Sequence, residues 1–197
     1  MGSVQGYRVA FYGTGVENDS VLHPMPQKCE ASPLIPTLET ERLLLRAQTM
    51  DDWQAYASHM MSGHAAQMGG PHTLEDAWGL FCHDLAQWPL LGTGALMIEA
   101  RETGQCLGQV GISYGPLFPE HELGWFLFPG AEGHGYAFEA AGALRDWGFG
   151  VRGLATIVSH IDPENHRSRK LAERLGAELV SDPDRPGPEV LVYRHKM

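Results

Sequence analysis

A chain of 197 residues, 43% of them hydrophobic and 19% charged, has the length of one domain with a sizeable core, which excludes wholesale disorder and a multi-domain machine. Fourteen lysines and arginines against 24 acids leave a net charge of −10, a field that repels nucleic-acid phosphates and anionic membranes and favours cationic partners. Three cysteines, Cys29, Cys82 and Cys106, form no C-x-x-C pair, so neither a disulfide framework nor a cysteine zinc site is expected.

Residues 1 to 36 carry Pro24, Pro26, Pro33 and Pro36 without a sustained period and are expected to form an extension or arm. They hold no apolar run of signal-peptide length, and no stretch of the chain approaches the roughly 18 apolar residues of a membrane span, so a reducing, cytoplasmic home is expected. A folded domain is expected over 37 to 197. Its first strand is read at Glu41-Arg42-Leu43-Leu44-Leu45-Arg46. A helix follows from Asp51, with Trp53, Tyr56, Ala57 and Met60 on one face, and Ser62 to His72 reads as a loop. Thr73 caps a second helix whose stripe is Leu74, Ala77, Trp78, Phe81 and Leu85 and which is expected to stop at Pro89.

From Gly94 the texture changes to strands. Ala95 to Ala100 and Cys106 to Tyr114 form an expected hairpin, and His121 to Phe128 a third strand. The glycine-rich turn Pro129-Gly130-Ala131-Glu132-Gly133-His134-Gly135 then leads into a helix over Tyr136 to Leu144. Leu154 to His160 reads as a strand, Asn165 to Leu175 as a helix closed by Gly176, and Glu178 to Val180 with Glu189 to Tyr193 as a last hairpin.

The strand, turn and helix around Gly133-His134-Gly135-Tyr136-Ala137 is the sharpest chemical feature. A helix start offers unpaired N–H groups and partial positive charge, and residues without a Cβ let an anion approach the backbone. Other glycine motifs fail: a G-x-G-x-x-G from Gly133 meets Phe138, and no glycine is followed by lysine as a P-loop requires. His121-Glu122 meets Trp125 where a zinc-protease motif needs histidine. No metal is expected.

With this turn in place, four segments in order resemble the GNAT superfamily of N-acetyltransferases, and within it the RimJ/RimL-type branch associated with ribosomal-protein N-terminal acetylation. They are Leu38 to Arg46, Glu122-Leu123-Gly124-Trp125, Glu132 to Ala140, and Asp162 to Ser168 followed by Leu171 to Ala177. The resemblance implies an α/β fold with a mostly antiparallel, splayed sheet flanked by helices. It implies acetyl-CoA as co-substrate, its pyrophosphate on the backbone of Gly133, His134, Gly135, Tyr136, Ala137 and Phe138, and its pantetheine arm beside Trp125, Phe126 and Leu127. Asn165 would meet the pantetheine amides, with Ser168 on the same helix face. The implied partners are acetyl-CoA and a cationic, amine-bearing acceptor, with neither nucleic acid nor membrane; a homodimer is allowed.

One departure stands out. The family's turn begins with glutamine or arginine, whereas this chain has Glu132 and no lysine or arginine between Pro129 and Ala143, leaving His134, Arg167, Arg169 and Lys170 as candidates to offset the carboxylate. Amide formation needs a neutral amine, an oxyanion partner and a proton for the departing thiolate. Glu122 is the expected general base, Ser168 the leading proton donor with Tyr136 behind it, and a backbone N–H near Leu127 the oxyanion partner. Freeing an α-amine of pKa about 8 at pH 7 costs about 1.4 kcal/mol, against roughly 4.6 for lysine, so one modest base suits a protein or peptide N-terminus. A small-molecule amine (aminoglycoside- or polyamine-like) and a non-catalytic acyl-CoA binding module are the alternatives. The acceptor wall is expected at Ser62 to His72 with Tyr56, His59, His64 and His72 nearby, each of which reads, taken singly, as an ordinary loop or core residue.

Overall fold

Leu43 and Leu45, both fully buried, alternate with Leu44 and Arg46, which gives β2 (Leu43–Arg46) one inward face. The computed structural model describes residues 35–180 and 190–197. β2 stands between a short β1 (Leu38–Glu39) and β3 (Ala95–Ala100), and the antiparallel run continues through β4 (Cys106–Gly115) and β5 (Phe118–Leu127). β6 (Val158–Ile161), β7 (Glu178–Val180) and β8 (Leu191–Arg194) complete an eight-stranded sheet of order β1-β2-β3-β4-β5-β6-β8-β7. The junction of β5 with β6 is parallel and registers a single Cα pair, Glu122 with Val158. The expected splay is therefore present, and it opens just past Glu122.

Two helical layers cover the sheet. α1 (Trp53–Met60) and α2 (Leu74–Leu91) pack together, and Tyr56, Met60, Ala77 and Phe81 form a small core against Phe126 of β5. α3 (Tyr136–Gly150) lies across β2, β4 and β5, burying Ala140, Ala141 and Leu144 in the main core with Leu96, Ile98, Val110 and Leu123. α4 (His166–Arg174) packs on β6 and α3. Because successive strand residues face opposite sides, Leu123, Trp125 and Leu127 look toward the main core and Glu122, Gly124 and Phe126 toward the α1/α2 face.

The structure corrects the sequence reading in several places. α2 runs past Pro89 to Leu91, because Trp88 beneath it is buried and donates its indole N–H to the Ala95 carbonyl (2.8 Å), holding the last turn in place. Of the expected α2 stripe only Ala77 and Phe81 are buried; Leu74, Trp78 and Leu85 are exposed, since the helix rests on α1 with a narrower face. The stretch read as a loop contains a 3-10 turn, Gly63–Met68, begun by the Ser62 side chain accepting from the His64 N–H. The third strand starts earlier, at Phe118, and β6 starts later than Leu154, at Val158, after Thr156 has turned its hydroxyl to Glu120. α3 extends to Gly150. The arm expected over residues 1 to 36 lies outside the described residues apart from Ile35 and Pro36.

Candidate active site

The site is built where the sheet parts. The Phe128 N–H donates to the Leu107 carbonyl (2.8 Å), which fixes the alternation along the β4–β5 ladder: Phe126 and Gly124 bond across to β4, while Leu123, Trp125 and Leu127 turn their N–H and C=O groups the other way. The Leu123 carbonyl is taken by the Ser159 hydroxyl (2.6 Å). Beyond it β6 has moved off, so the polar backbone of Trp125 and Leu127 faces an open fork. Gly108 presses β4 onto this stretch, for a Cβ there would sit 2.2 Å from the Phe126 carbonyl oxygen. The Trp125 side chain packs against both the main core and the cluster of Ile161, Ala172, Ala177 and Tyr193, closing the fork from beneath.

At the C-terminal end of β5 comes the bend into α3. Gly133 and Gly135 have φ of +84° and +82°, a left-handed conformation that side chains resist, and a Cβ on Gly133 would meet nothing within 4 Å. Gly135 caps α3 without a side chain, and no acceptor among the described residues takes the N–H groups of Gly133 through Phe138. These are unclaimed donors at a positive helix end, in a cradle that a Cβ would fill, and they fit a pyrophosphate. Glu132 accepts from the Gly130 N–H (3.0 Å), so its carboxylate folds back on the entry to the bend.

The cation at the bend comes from β1–β2. Arg42 donates to the His134 carbonyl (2.9 Å) and to both sides of the Glu139 carboxyl, and its guanidinium lies 4.9 Å from the Tyr136 ring centre. Sequence reasoning missed it because 92 residues separate Arg42 from His134 and it reads locally as a strand-end charge. Of the cations named from sequence, Arg169 is committed to the Pro163 carbonyl (2.9 Å) and the Tyr193 hydroxyl (3.4 Å), while Arg167 and Lys170 are exposed on α4. A cleft of about 350 Å³ opens beside the bend between Arg42, His134, Tyr136 and the β3–β4 turn. Tyr136 lines that cleft, on the β3–β4 side of the bend.

Glu122 sits at the root of the fork, partly buried, with Oε2 2.7 Å from His160 Nδ1 on β6. The sequence reading carried His160 only as the end of a strand. Next to this pair, Ser159 spends its one proton on Leu123 and so accepts from Nε2 of His195 (3.0 Å), leaving Nδ1 of that buried ring bare; burial, helped by Arg145, brings the His195 pKa down to about 4. On α4, Asn165 caps the helix by accepting the Ser168 N–H (3.1 Å), which places Asn165 and the half-buried Ser168 one turn apart. On the opposite face, His59 is 5% exposed, stacks on Phe126 at 4.8 Å and has neither ring nitrogen hydrogen-bonded; desolvation lowers its pKa. Tyr56 instead bonds Asp84 (3.2 Å) and His72 the Met68 carbonyl (3.1 Å), so both are occupied within the α1/α2 layer.

Comparison with known proteins agrees with this geometry. The model for the acetyltransferase (GNAT) domain matches residues 42–178. Two Bacillus subtilis (strain 168) proteins are similar: the uncharacterized N-acetyltransferase YnaD, 28% identical over 143 residues (71% of this chain and 81% of that one), and the uncharacterized protein YkkB, 32% identical over 107 residues (53% of this chain and 62% of that one). The crystal structure of an acetyltransferase from Agrobacterium tumefaciens str. C58 is 52% identical, with a TM-score of 0.81 over 85% of this chain and 98% of that one. A ribosomal-protein-S5-alanine acetyltransferase from Vibrio fischeri shares the fold at 19% identity (TM-score 0.64; 81% and 95% covered). With a splayed sheet, an anion-ready bend and a family match over most of its described residues, the chain belongs to the GNAT acetyltransferases.

Proposed function

We propose that this acetyltransferase transfers the acetyl group of acetyl-CoA to a primary amine, and that its acceptor is a protein or peptide N-terminal α-amine. The observation that carries the reading is the run of unclaimed N–H groups from Gly133 to Phe138 beside a fork whose root holds the Glu122 carboxylate. Those amides would hold the pyrophosphate. The open backbone of Trp125 and Leu127 would hold the pantetheine amides, with the Asn165 amide group across from them. Bound in this way, acetyl-CoA supplies the activated acyl carbon and a thiolate leaving group.

Glu122 takes a proton from the incoming ammonium, directly or through one water, and so frees the nitrogen lone pair. A backbone N–H of the open strand near Leu127 meets the charge that develops on the carbonyl oxygen. Ser168 then gives its hydroxyl proton to the departing sulfur and recovers one from the amide nitrogen. Tyr136 is the second candidate, and its place in the cleft beside Arg42 favours Ser168. The α-amine is preferred because one carboxylate base has about 1.4 kcal/mol to supply there and roughly 4.6 for a lysine. The V. fischeri ribosomal-protein acetyltransferase supports the acceptor class through its fold.

Glu122→Gln is expected to lower kcat by about 10² or more while acetyl-CoA affinity, read by calorimetry, stays within about twofold. An unchanged rate would remove Glu122 from the mechanism. Gly135→Val, which forces a β-branched residue into a left-handed conformation beside Arg42, is expected to abolish acetyl-CoA binding. Thiol release with alanine- and serine-initiated peptide amides, against spermidine and an aminoglycoside, decides the acceptor. Turnover with the small amines alone would replace the peptide reading.

A further inference from the structure

Glu122 and His160 reach toward one another beside the single Cα pair, Glu122 with Val158, that joins β5 to β6 among the described residues. Their side chains project from the α1/α2 face of the sheet, and the carboxyl Oε2 lies 2.7 Å from imidazole Nδ1. His160 is 9% exposed and Glu122 23%, so this contact is shielded while the carboxylate keeps a path to the fork. The other oxygen, Oε1, makes no hydrogen bond to a described residue. Two residues further along the same face is Gly124, exposed, where an added Cβ would meet nothing within 4 Å. Four residues from Glu122 is Phe126, about 13 Å away along an extended strand, with the buried His59 ring, whose nitrogens meet no hydrogen-bond partner among the described residues, stacked on it. One carboxylate oxygen is thus held by a ring, the other is open, and a bare patch of strand lies in front of it.

We propose that His160 is a positioning residue for amine deprotonation and that the uncovered surface at Gly124 is the seat of the acceptor's amino group. The inference rests on the reading of Glu122 as base and adds to it. His160 donates Nδ1–H to Oε2, which fixes the carboxylate rotamer and directs Oε1 at the amine over Gly124. The proton balance is simple. The ammonium gives one proton to Oε1, and its nitrogen pair forms the C–N bond as the C–S bond breaks. The second N–H proton leaves with the thiol, and Glu122 returns the first to solvent. A glycine at the seat means that a primary amine enters with its carbon chain leaning toward Phe126 and His59, and that any side chain on residue 124 competes for the same volume.

Two sets of variants test this, read on the full chain with acetyl-CoA and an alanine-initiated peptide amide, and by NMR without either. His160→Leu, which keeps volume and loses the donor, is expected to lower kcat about 10- to 100-fold with the KM for acetyl-CoA within twofold. His160→Gln, whose amide N–H can still reach Oε2, is expected to recover most of that loss. Gly124→Val is expected to raise the KM for the peptide at least tenfold without changing the melting temperature or acetyl-CoA binding. In the substrate-free protein, the ring of His160 is expected as the Nδ1–H tautomer in a long-range 1H–15N spectrum and as Nε2–H in Glu122→Ala. A slow Glu122→Gln beside an unimpaired His160→Leu overturns the positioning role and keeps the base. Equal losses in His160→Leu and His160→Gln, or an Nε2–H tautomer in the wild type, overturn it as well. If Glu122→Gln itself is unimpaired, the base reading falls with it.

Discussion

Glu132 and Arg42 carry the predictions that belong to single side chains. The acid at the start of the bend is spent on the Gly130 N–H, so Glu132→Gln is expected to change the dissociation constant of acetyl-CoA by less than about twofold in calorimetry. Arg42 lies against the bend with 45% of its side chain exposed, so Arg42→Gln is expected to weaken acetyl-CoA binding several-fold and to flatten its salt dependence. His195 carries a pH dependence of stability. Its folded pKa, about 4, lies below the ordinary 6.5, so as pH falls between these values the unfolded chain takes up a proton that the native ring refuses. This contribution is whole above pH 6.5 and shrinks by about 2 kcal/mol on going to pH 5. Urea unfolding is expected to show that loss in the wild type and to lack it in His195→Gln. At this scale Glu122, the glycines of the bend and Asn165 could be singled out from the sequence, because each belongs to a contiguous pattern. Arg42, His160 and the Ser159–His195 pair escaped it, since their partners lie tens of residues away and only the folded sheet brings them together.

Among elements, the junction of β2 with the turn before α1 has the clearest energetic signature. Asp52, 4% exposed, accepts from the two terminal Arg46 guanidinium nitrogens at 2.8 Å each, and Glu99 of β3 accepts from Nε at 2.6 Å. Burial alone would raise the Asp52 pKa, but the Arg46 and Thr49 hydrogen bonds outweigh it and hold the carboxyl below its ordinary value. Arg46→Leu strands that charge and is expected to destabilise by about 3 kcal/mol in denaturant melts at pH 7. Part of this loss is recovered by Arg46→Leu with Asp52→Asn, which removes the buried charge. Element order was legible from periodicity and punctuation, and the hairpins, α1 and the start of α3 stand where expected. The ends of α2 and β6 were not, because a buried tryptophan and a threonine turned toward Glu120 set them, and both are tertiary contacts that override local propensity.

Across the whole molecule, β5 is bound on one edge by a long antiparallel ladder and on the other by side chains. Glu120 takes Thr156 and Arg194, Leu123 takes Ser159, and Glu122 takes His160, yet only one backbone register joins β5 to β6. Hydrogen exchange is expected to be fast at the amides of Trp125 and Leu127 and slow at Phe126 in the free protein, with the fast pair slowed by acetyl-CoA. Uniform protection along β5 would mean that the gap is closed in solution. The wider consequence concerns how this protein should be handled in the search for its acceptor. If acetyl-CoA completes the bonding of β5 as proposed, the protein borrows part of its cohesion from its reactant, and at a ligand concentration of 100 Kd the gain is about 2.7 kcal/mol. On that reading, samples stored or screened without the coenzyme are the frailer form, and an acceptor that docks only against the completed wall is invisible to them.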